Sequence, residues 1–582
     1  MKYQIRYRDG LAKTGYLDTG DEKLVTPSVF FMETSSIPEP RFKGYKLVYG
    51  EESGEETIVL EPNDELLNPL GYPVMTLSGD KLLVNTISKG GGNKGDTVYV
   101  MVLGKQLFEY QPSRFIENIT RVRREIGYDK LLYIPALGDP SNYSLLVYMG
   151  VDLFDSTAAI TAARRREYLY NTRIYNVDGL DENPCNCPIC MERGEDYSFE
   201  HLLQHNYYML QQEIKNIRNI IRTGQLREYV EEKTRGKPSL VTMLRILDEK
   251  GYSLIEEYTP IVKRTPLLAV TEDSFNRVEV KRFQERVLDR YVKPSGKPIL
   301  LLLPCSAKKP YTYSQSHQKF KGILRQLKNP YCIHEVIITS PLGVVPRELE
   351  LVYPAAHYDI PVTGHWSKEE EEFIKRILRV YLNRNRYEEV IIHLPTQLQS
   401  IVEEVIEDGI VTCIDKPTSR GSLNKLLGVL REITKGYPET SYEEHIKGFI
   451  RGLASYQFTK EVGEVLLRDT EVKGRYPEYR VISNGKQLGM VSLGRGYISL
   501  TIEGALRLAS TGRYYVNIHR EFSLRGDVFA PGVESADIDI RIGDEVCILQ
   551  EDKLCGVGVA YMPGREMTNS NHGLAVKTRH RV

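Results

Sequence analysis

The sequence predicts a multidomain α/β protein: a barrel-like α/β half, a small parallel-sheet α/β domain, a helix with short strands, and a small β-barrel. Three observations predict it. The chain has 582 residues, more than one hydrophobic core serves at about 150 residues per domain. Aliphatic strand-like runs alternate with helix-like segments through most of its length. The last part breaks into short strands separated by glycine turns.

Over 1–290, Val29-Phe30-Phe31, Thr97–Leu103 and Leu131–Ile134 read as strands, Arg114–Ile126 and Tyr207–Ile221 as helices, in a spacing that fits an α/β barrel or a relative of one. Lys293-Pro294-Ser295-Gly296-Lys297-Pro298 is a loop by composition. The second domain, 297–436, opens with Ile299–Leu303, a strand buried on both faces. Helix Ser316–Leu327, strand Glu335–Thr339, helix Ser367–Leu382, strand Val390–Leu394, helix Gln397–Glu407 and strand Ile410–Ile414 follow. This alternation implies a parallel sheet with helices on both faces, and such sheets bind ligands beyond the C-terminal strand ends. The loops there begin at Pro304, Ser340, Pro395 and Asp415. The third segment, 437–505, carries a helix candidate at Ser441–Leu453 and then short strands. The fourth, 506–582, turns at Gly526-Asp527, Pro531-Gly532, Gly543-Asp544 and Gly556-Val557-Gly558.

Composition bounds function. Lys+Arg is 77 against Asp+Glu 78, so the net charge of -1 excludes a globally basic binder and leaves room for local basic surfaces. Hydrophobic residues at 41% and charged residues at 27% exclude wholesale disorder. The longest aliphatic run, Ile299–Leu303, falls far short of the roughly 18–20 residues of a membrane span, and the N-terminal residues lack a signal peptide's apolar core. Eight cysteines are too few for a disulfide scaffold in this length, and three crowd into 185–190, which points to metal chemistry in a reducing interior. The expectation is a cytoplasmic protein that does not enter membranes.

The densest metal signal is Cys185-Asn186-Cys187-Pro188-Ile189-Cys190 with His201 and His205 downstream. Three thiolates and one imidazole suit tetrahedral zinc, and a filled Cys3His set leaves no open position, so the role expected is structural. His205 is the fourth ligand preferred, His201 the alternative.

This segment resembles the zinc motif of tRNA-guanine transglycosylases, the histidine being followed by Asn206. Pro135-Ala136-Leu137-Gly138 and Gly150-Val151-Asp152-Leu153-Phe154-Asp155-Ser156 are similar to that family too. The resemblance implies a modified (β/α)8, TIM-like barrel with a zinc site, in which Asp155 matches the carboxylate that attacks the target nucleotide. Two departures stand out. The interval from Cys190 to His205 is shorter than the family's, and in Thr76-Leu77-Ser78-Gly79 a leucine stands where the family has its second catalytic Asp, with Asp80 offset by three residues. Base exchange needs two carboxylates in different roles, so loss of that activity is expected, with Asp155 either a relic or a contact to the modified nucleotide.

After strand Ile299–Leu303 comes a loop dense in nucleophiles and cations: Pro304-Cys305-Ser306-Ala307-Lys308-Lys309-Pro310-Tyr311, then Ser314, Ser316 and His317. Cys305 beside Lys308 or Lys309 and near a helix N-terminus is expected to have a depressed pKa; the bland alternative is an ordinary buried cysteine among solvated lysines. After strand Glu335–Thr339 come Ser340-Pro341-Leu342-Gly343, Pro346-Arg347-Glu348-Leu349-Glu350 and Tyr353 to Gly364. Arg347 with Glu348 reads alternatively as a surface ion pair of little value. Together these loops resemble the archaeosine synthase family, and the resemblance covers essentially the whole chain. The third segment resembles the α+β spacer domain that precedes the RNA-binding module of archaeal transglycosylases. Val528-Phe529-Ala530-Pro531-Gly532-Val533, Arg541-Ile542-Gly543-Asp544 and the end Lys577-Thr578-Arg579-His580-Arg581 look like a PUA domain, a β-barrel that binds structured RNA. Arg525, Lys577, Arg579 and Arg581 are its candidate RNA contacts, a frayed tail being the alternative. Two further basic clusters, Arg164–Arg166 and Lys215–Lys237, are candidate phosphate contacts or solvated faces.

The resemblance implies a tRNA modification enzyme that adds an amine, free lysine in the first instance, to the nitrile of 7-cyano-7-deazaguanine at position 15 of tRNA, with a separate radical-SAM lyase partner releasing archaeosine and a homodimer as a possible assembly. The expected catalytic set is Cys305, His317, Asp359, Lys308 and Lys309. Cys305 attacks the nitrile, His317 or Asp359 takes the amine's proton, and the lysines with Arg347 hold a carboxylate or phosphate. Ser306, Tyr311, Ser314, Arg347, Glu348, His357, Thr363 and Asp155 are the candidate substrate contacts. Glutamine or ammonia as donor, a transglycosylase exchanging the base at position 15, and a non-catalytic tRNA-binding subunit are the alternatives.

Overall fold

A computed structural model of the chain describes residues 2–18, 23–33, 37–49, 57–62, 75–77, 98–101, 104–193, 197–361 and 366–582. It falls into two compact units, residues 1–259 with 569–573, and 260–568 with 574–582. No helix among the described residues is long and apolar enough to cross a membrane.

The first unit begins with an antiparallel sheet of Lys2–Asp9, Ala12–Asp18 and Lys23–Thr26. A seven-stranded sheet follows, in spatial order Met75–Leu77, Thr57–Pro62, Tyr45–Tyr49, Ser28–Glu33, Leu153–Asp155, Leu131–Tyr133 and Val98–Val100. All neighbours are parallel except the Met75–Leu77 edge, as a barrel-like α/β fold requires. Helix Pro112–Ile126 has proline in its first turn and buries Phe115, Ile116, Ile119, Val122 and Ile126 on one face. The long helix Phe199–Thr223 starts at an N-cap, Ser198, and ends at Gly224, whose φ of 75° is the left-handed turn that glycine allows. Of the expected strand at 97–103, residues 97, 102 and 103 lie outside the described residues, as do Ser78, Gly79 and Asp80 beside Leu77.

The second unit holds the parallel sheet, in order Gly343–Pro346, Ile333–Thr339, Ile299–Pro304, Glu389–Ile392 and Ile410–Val411. Ile299–Pro304 pairs in parallel on both sides. Its alternate residues feed two cores: Ile299, Leu301 and Leu303 pack with Phe320, Leu426 and Leu430, while Leu300 and Leu302 pack with Phe283, Ile374 and Leu378. That two-sided burial is why the strand is aliphatic throughout. Gly343–Pro346 runs antiparallel at the edge, entered through Gly343 at φ 76°, where a Cβ would lie 3.0 Å from the Ile377 side chain. The unit begins before the Lys293–Pro298 loop: Leu267–Leu268 pairs with Tyr358–Asp359, and Val280, Phe283 and Val287 share a core with Leu300. Helix Lys368–Arg384 opens with a reciprocal capping box between Ser367 and Glu370.

Beyond it stand helices Tyr442–Gln457 and Lys460–Leu466, a four-stranded antiparallel sheet over 471–500, and helix Ile502–Ala509. The C-terminal barrel, nearly closed, orders its strands Val528–Phe529, Leu574–Arg581, Lys553–Ala560, Glu545–Gln550, Tyr515–Ile518 and Val533–Ala536. Buried Glu545 ties the two together. Its carboxylate accepts from Arg495 at 2.5 Å, from Arg579 at 3.0 Å and from the Leu500 amide at 3.0 Å.

Candidate functional site

Cys305 follows the central strand of the parallel sheet, at the C-terminal rim where ligands of such sheets bind. Its thiol faces the Thr339 hydroxyl, at the end of the neighbouring strand. Thr339 Oγ1 lies 2.6 Å from the Tyr358 hydroxyl, which lies 2.7 Å from that of Tyr311. Thr339, Tyr311 and Tyr358 are buried, and burial raises both tyrosine pKa values, so the row stays protonated behind the thiol. Lys309 holds its Nζ 4.0 Å from the Tyr358 ring centroid. Burial draws its pKa down, and the charges of Cys305 and Asp359 oppose that. Thr339 carries no site expectation from the sequence, and Tyr358, though within the 353–364 loop expected at the site, carries no role there; the sheet brings both behind Cys305.

The depressed thiol pKa expected for Cys305 is not found. Burial pushes it up, outweighing the pull of the Thr339 hydroxyl and the Lys309 charge. Lys308 is exposed, and its carbonyl accepts from the Ser306 hydroxyl at 2.9 Å. Asp359 and His357 are exposed, while Thr363 lies outside the described residues.

His317, Arg347 and Glu348 belong to buried networks instead. His317 Nε2 donates to the Pro304 carbonyl at 3.0 Å, and Nδ1 accepts from Arg347 at 2.8 Å. With both nitrogens engaged, and its pKa brought down to about 3 by burial and the Arg347 charge, His317 is a neutral strut under the Cys305 loop. Arg347 pairs with Glu335 at 2.6 Å and Glu350 at 3.0 Å. Glu350 also accepts from the Tyr476 hydroxyl at 2.6 Å and the Thr312 amide at 2.9 Å. The surface pairing of Arg347 with Glu348 is therefore corrected: Glu348 faces the other way, accepting from Tyr291 at 3.0 Å and lying 3.1 Å from His334 Nε2. Ser314 is the N-cap of helix Gln315–Leu324.

In the first unit, Asp155 ends its strand 2% exposed. One oxygen accepts from the Tyr133 hydroxyl at 2.7 Å and the Ala136 amide at 2.6 Å, the other from the Thr157 amide at 2.8 Å. Cys185, Cys187, Cys190 and His205 bring their ligand atoms within 4.8 Å of one another, a set that can hold a metal ion. His205 Nε2 donates to the Leu169 carbonyl at 2.8 Å, leaving Nδ1 toward the thiols, and Tyr168 stacks on the ring at 3.6 Å. His201 instead bonds the Ser198 hydroxyl at 2.8 Å.

The C-terminal basic residues form a barrel strand, Leu574–Arg581, and no frayed tail. Lys577 and Arg581 are exposed on it, Arg525 is exposed nearby, and Arg579 is committed to Glu545. Within 215–237, Arg227 is buried against Asp248 at 2.5 Å and Lys233 against Glu213 at 3.3 Å, so neither faces solvent. Arg166 pairs with Asp178 at 2.7 Å.

Four family models match the chain: Queuine tRNA-ribosyltransferase over 95–239, a domain of unknown function (DUF5591) over 280–430, the patch-forming domain C2 of tRNA-guanine transglycosylase over 449–514, and the PUA domain over 521–582. Archaeosine synthase subunit alpha of Methanosarcina acetivorans is 40% identical over 85% of this chain and 81% of its own. Archaeosine synthase of Haloferax volcanii is 37% identical over 80% and 79%. The tRNA-guanine(15) transglycosylase of Methanothermobacter thermautotrophicus is 29% identical over 81% and 69%.

Proposed function

The chain belongs to the archaeosine synthase family, a family of tRNA-modifying enzymes of archaeosine biosynthesis, and from that premise we propose that its reaction is addition of an amine to a tRNA-bound nitrile. The substrate is tRNA carrying 7-cyano-7-deazaguanine at position 15, and the amine is the ε-amino group of free lysine. The observation that carries this reading is the Cys305 thiol backed by Thr339, Tyr358 and Tyr311, with Lys309 beside it. The sulfur adds to the nitrile carbon and the thiol proton passes to the nitrile nitrogen, giving a thioimidate. The incoming amine then adds to the same carbon, loses a proton and expels the thiol, leaving an amidine. Every atom is accounted for without oxidant or nucleotide triphosphate.

Because burial keeps the thiol protonated at rest, a base has to relieve it during attack. Lys309, whose ammonium is itself disfavoured by burial, is suited to that task, and exposed Asp359 to receiving the amine's proton. Lys308, Ser306, His357 and Thr363 are assigned to substrate contact, and Arg347, His317, Glu348, Ser314 and Tyr311 to holding the loops in position.

Zinc is the metal proposed for Cys185, Cys187, Cys190 and His205; four protein donors leave it no open position, so its contribution is to the fold. Asp155, with three donors on its carboxylate, is assigned no nucleophilic role. A radical-SAM lyase would act next, on the lysine adduct.

The test is incubation of the protein with nitrile-bearing tRNA and lysine, glutamine or ammonium separately, read as nucleoside mass. A lysine adduct is expected, absent with Cys305→Ala and with no labelled guanine entering unmodified tRNA. Full activity of Cys305→Ala overturns the covalent route in favour of direct amine attack.

A further inference from the structure

The first unit carries a cationic groove that the reaction above does not use. Its volume is about 550 Å³, and its lining includes Lys23, Lys43, Tyr45, Gln211, Lys215 and Arg218, with no Asp or Glu among the described residues that line it. The cations come from three separate elements. Gln211, Lys215 and Arg218 are spaced four and three residues apart, one face of helix Phe199–Thr223. Arg222 extends that face by another turn, its guanidinium 5.7 Å from the Tyr7 ring. Lys23 begins strand Lys23–Thr26, and Lys43 precedes strand Tyr45–Tyr49.

The walls are tied to one another. The Tyr45 hydroxyl donates to the Lys23 carbonyl at 3.2 Å and accepts from the Val25 amide at 3.3 Å. Arg218 donates to the Val25 carbonyl at 3.1 Å. That bond fixes the guanidinium while leaving its charge unneutralised by it, and burial lowers the Arg218 pKa. A guanidinium half-buried against a carbonyl, with Lys215 one turn away on the same helix face, gains from an anion that joins it.

Position matters as well. Ser28, which also lines the groove, is the first residue of strand Ser28–Glu33, whereas Asp155 is the last of the parallel neighbour Leu153–Asp155. The groove therefore opens toward the N-terminal ends of these strands, with Ser28 two residues along the register from Asp155. We propose that it is a binding site for the phosphate backbone of the tRNA substrate. A tied groove whose charged residues, among those described, are all cations, with an aromatic wall, suits a repeated anion threaded past it.

This inference rests on the tRNA reading above, and the test separates the two. Full-length protein and the double variant Lys43→Gln/Lys215→Gln, both exposed positions, are titrated with nitrile-bearing tRNA from about 50 to about 400 mM KCl, with thermal melts alongside. The expected result is a five- to twentyfold weaker Kd at about 100 mM salt, and a plot of log Kd against log salt that is shallower by about one to two. The KM for tRNA rises by the same factor. Arg218→Gln gives the same direction, and since it also loses the Val25 contact, the exposed lysine pair decides. Wild-type protein that binds tRNA and forms the adduct, with a double variant of unchanged melt, Kd and salt slope, overturns the groove and leaves the reaction standing. Wild-type protein that binds no tRNA overturns both.

Discussion

Arg347 is the side chain on which the second unit's polar interior turns. It neutralises Glu335 and Glu350 and donates to His317. Arg347→Met leaves buried Glu350 and half-buried Glu335 without their cation, and a loss of about 3–5 kcal/mol in urea unfolding is expected. His317 and His445 both have pKa values brought down to about 3, chiefly by burial. The unfolded chain protonates them near 6.5 and the folded one only far below, so their contribution is complete above about 6.5 and drains as pH falls toward 3. Carboxylates such as Glu348, held down at about 2, release their share only below the usual carboxylate range. Between about pH 6.5 and 5 the urea midpoint should therefore fall with acidification, and His445→Gln should flatten that slope. The cluster at 185–190 and the Cys305 loop were legible because their residue types crowd together in sequence. The groups around Cys305 and Arg347 were not: Thr339 meets Cys305 and Glu335 meets Arg347 from other elements, Tyr358 stands behind Thr339 and Tyr476 bonds Glu350, and burial, which reverses the expected thiol shift, leaves no local mark in the sequence.

At the scale of the element, the parallel strands were readable because two-sided burial demands unbroken aliphatic runs, as in Ile299–Pro304. Helix Lys368–Arg384 announced itself through Ser367 and three glutamates in its first turn. The edge strand Gly343–Pro346 did not, since four residues ending in proline read as loop. It depends on its turn. Gly343→Ala puts a Cβ on a left-handed residue 3.0 Å from Ile377 and should cost about 1–2 kcal/mol, seen as a lower Tm with the loop chemistry otherwise intact. The pairing of Leu267–Leu268 with Tyr358–Asp359 is likewise invisible locally, two residues on each side being too short to carry a period.

For the molecule as a whole, a metal ion held by Cys185, Cys187, Cys190 and His205 would anchor the first unit. His205 sits on the long helix Phe199–Thr223 and the cysteines on the segment after hairpin 167–176, so a bound ion would join elements that otherwise share few covalent constraints. Exhaustive chelation, or Cys187→Ser, should lower the thermal stability of the first unit and expose its 185–205 segment to protease, while the second unit's transition stays in place. In the second unit, sequence texture suggested separate modules, yet Leu300, Ile450 and Val516 lie in one continuous core. Composition shifts mark where architecture changes and say nothing of whether the pieces share an interior.

Glu545 gives that shared interior a mechanical meaning. For the C-terminal barrel to swing away from the helices and sheet before it, a carboxylate 1% exposed would have to shed Arg495, Arg579 and the Leu500 amide together. The barrel is then no hinged arm but a fixed jaw of a calliper. Under the proposed reaction, an RNA held by that barrel would be gauged against a set distance, and any bending needed to bring its nucleotide to Cys305 would fall to the RNA.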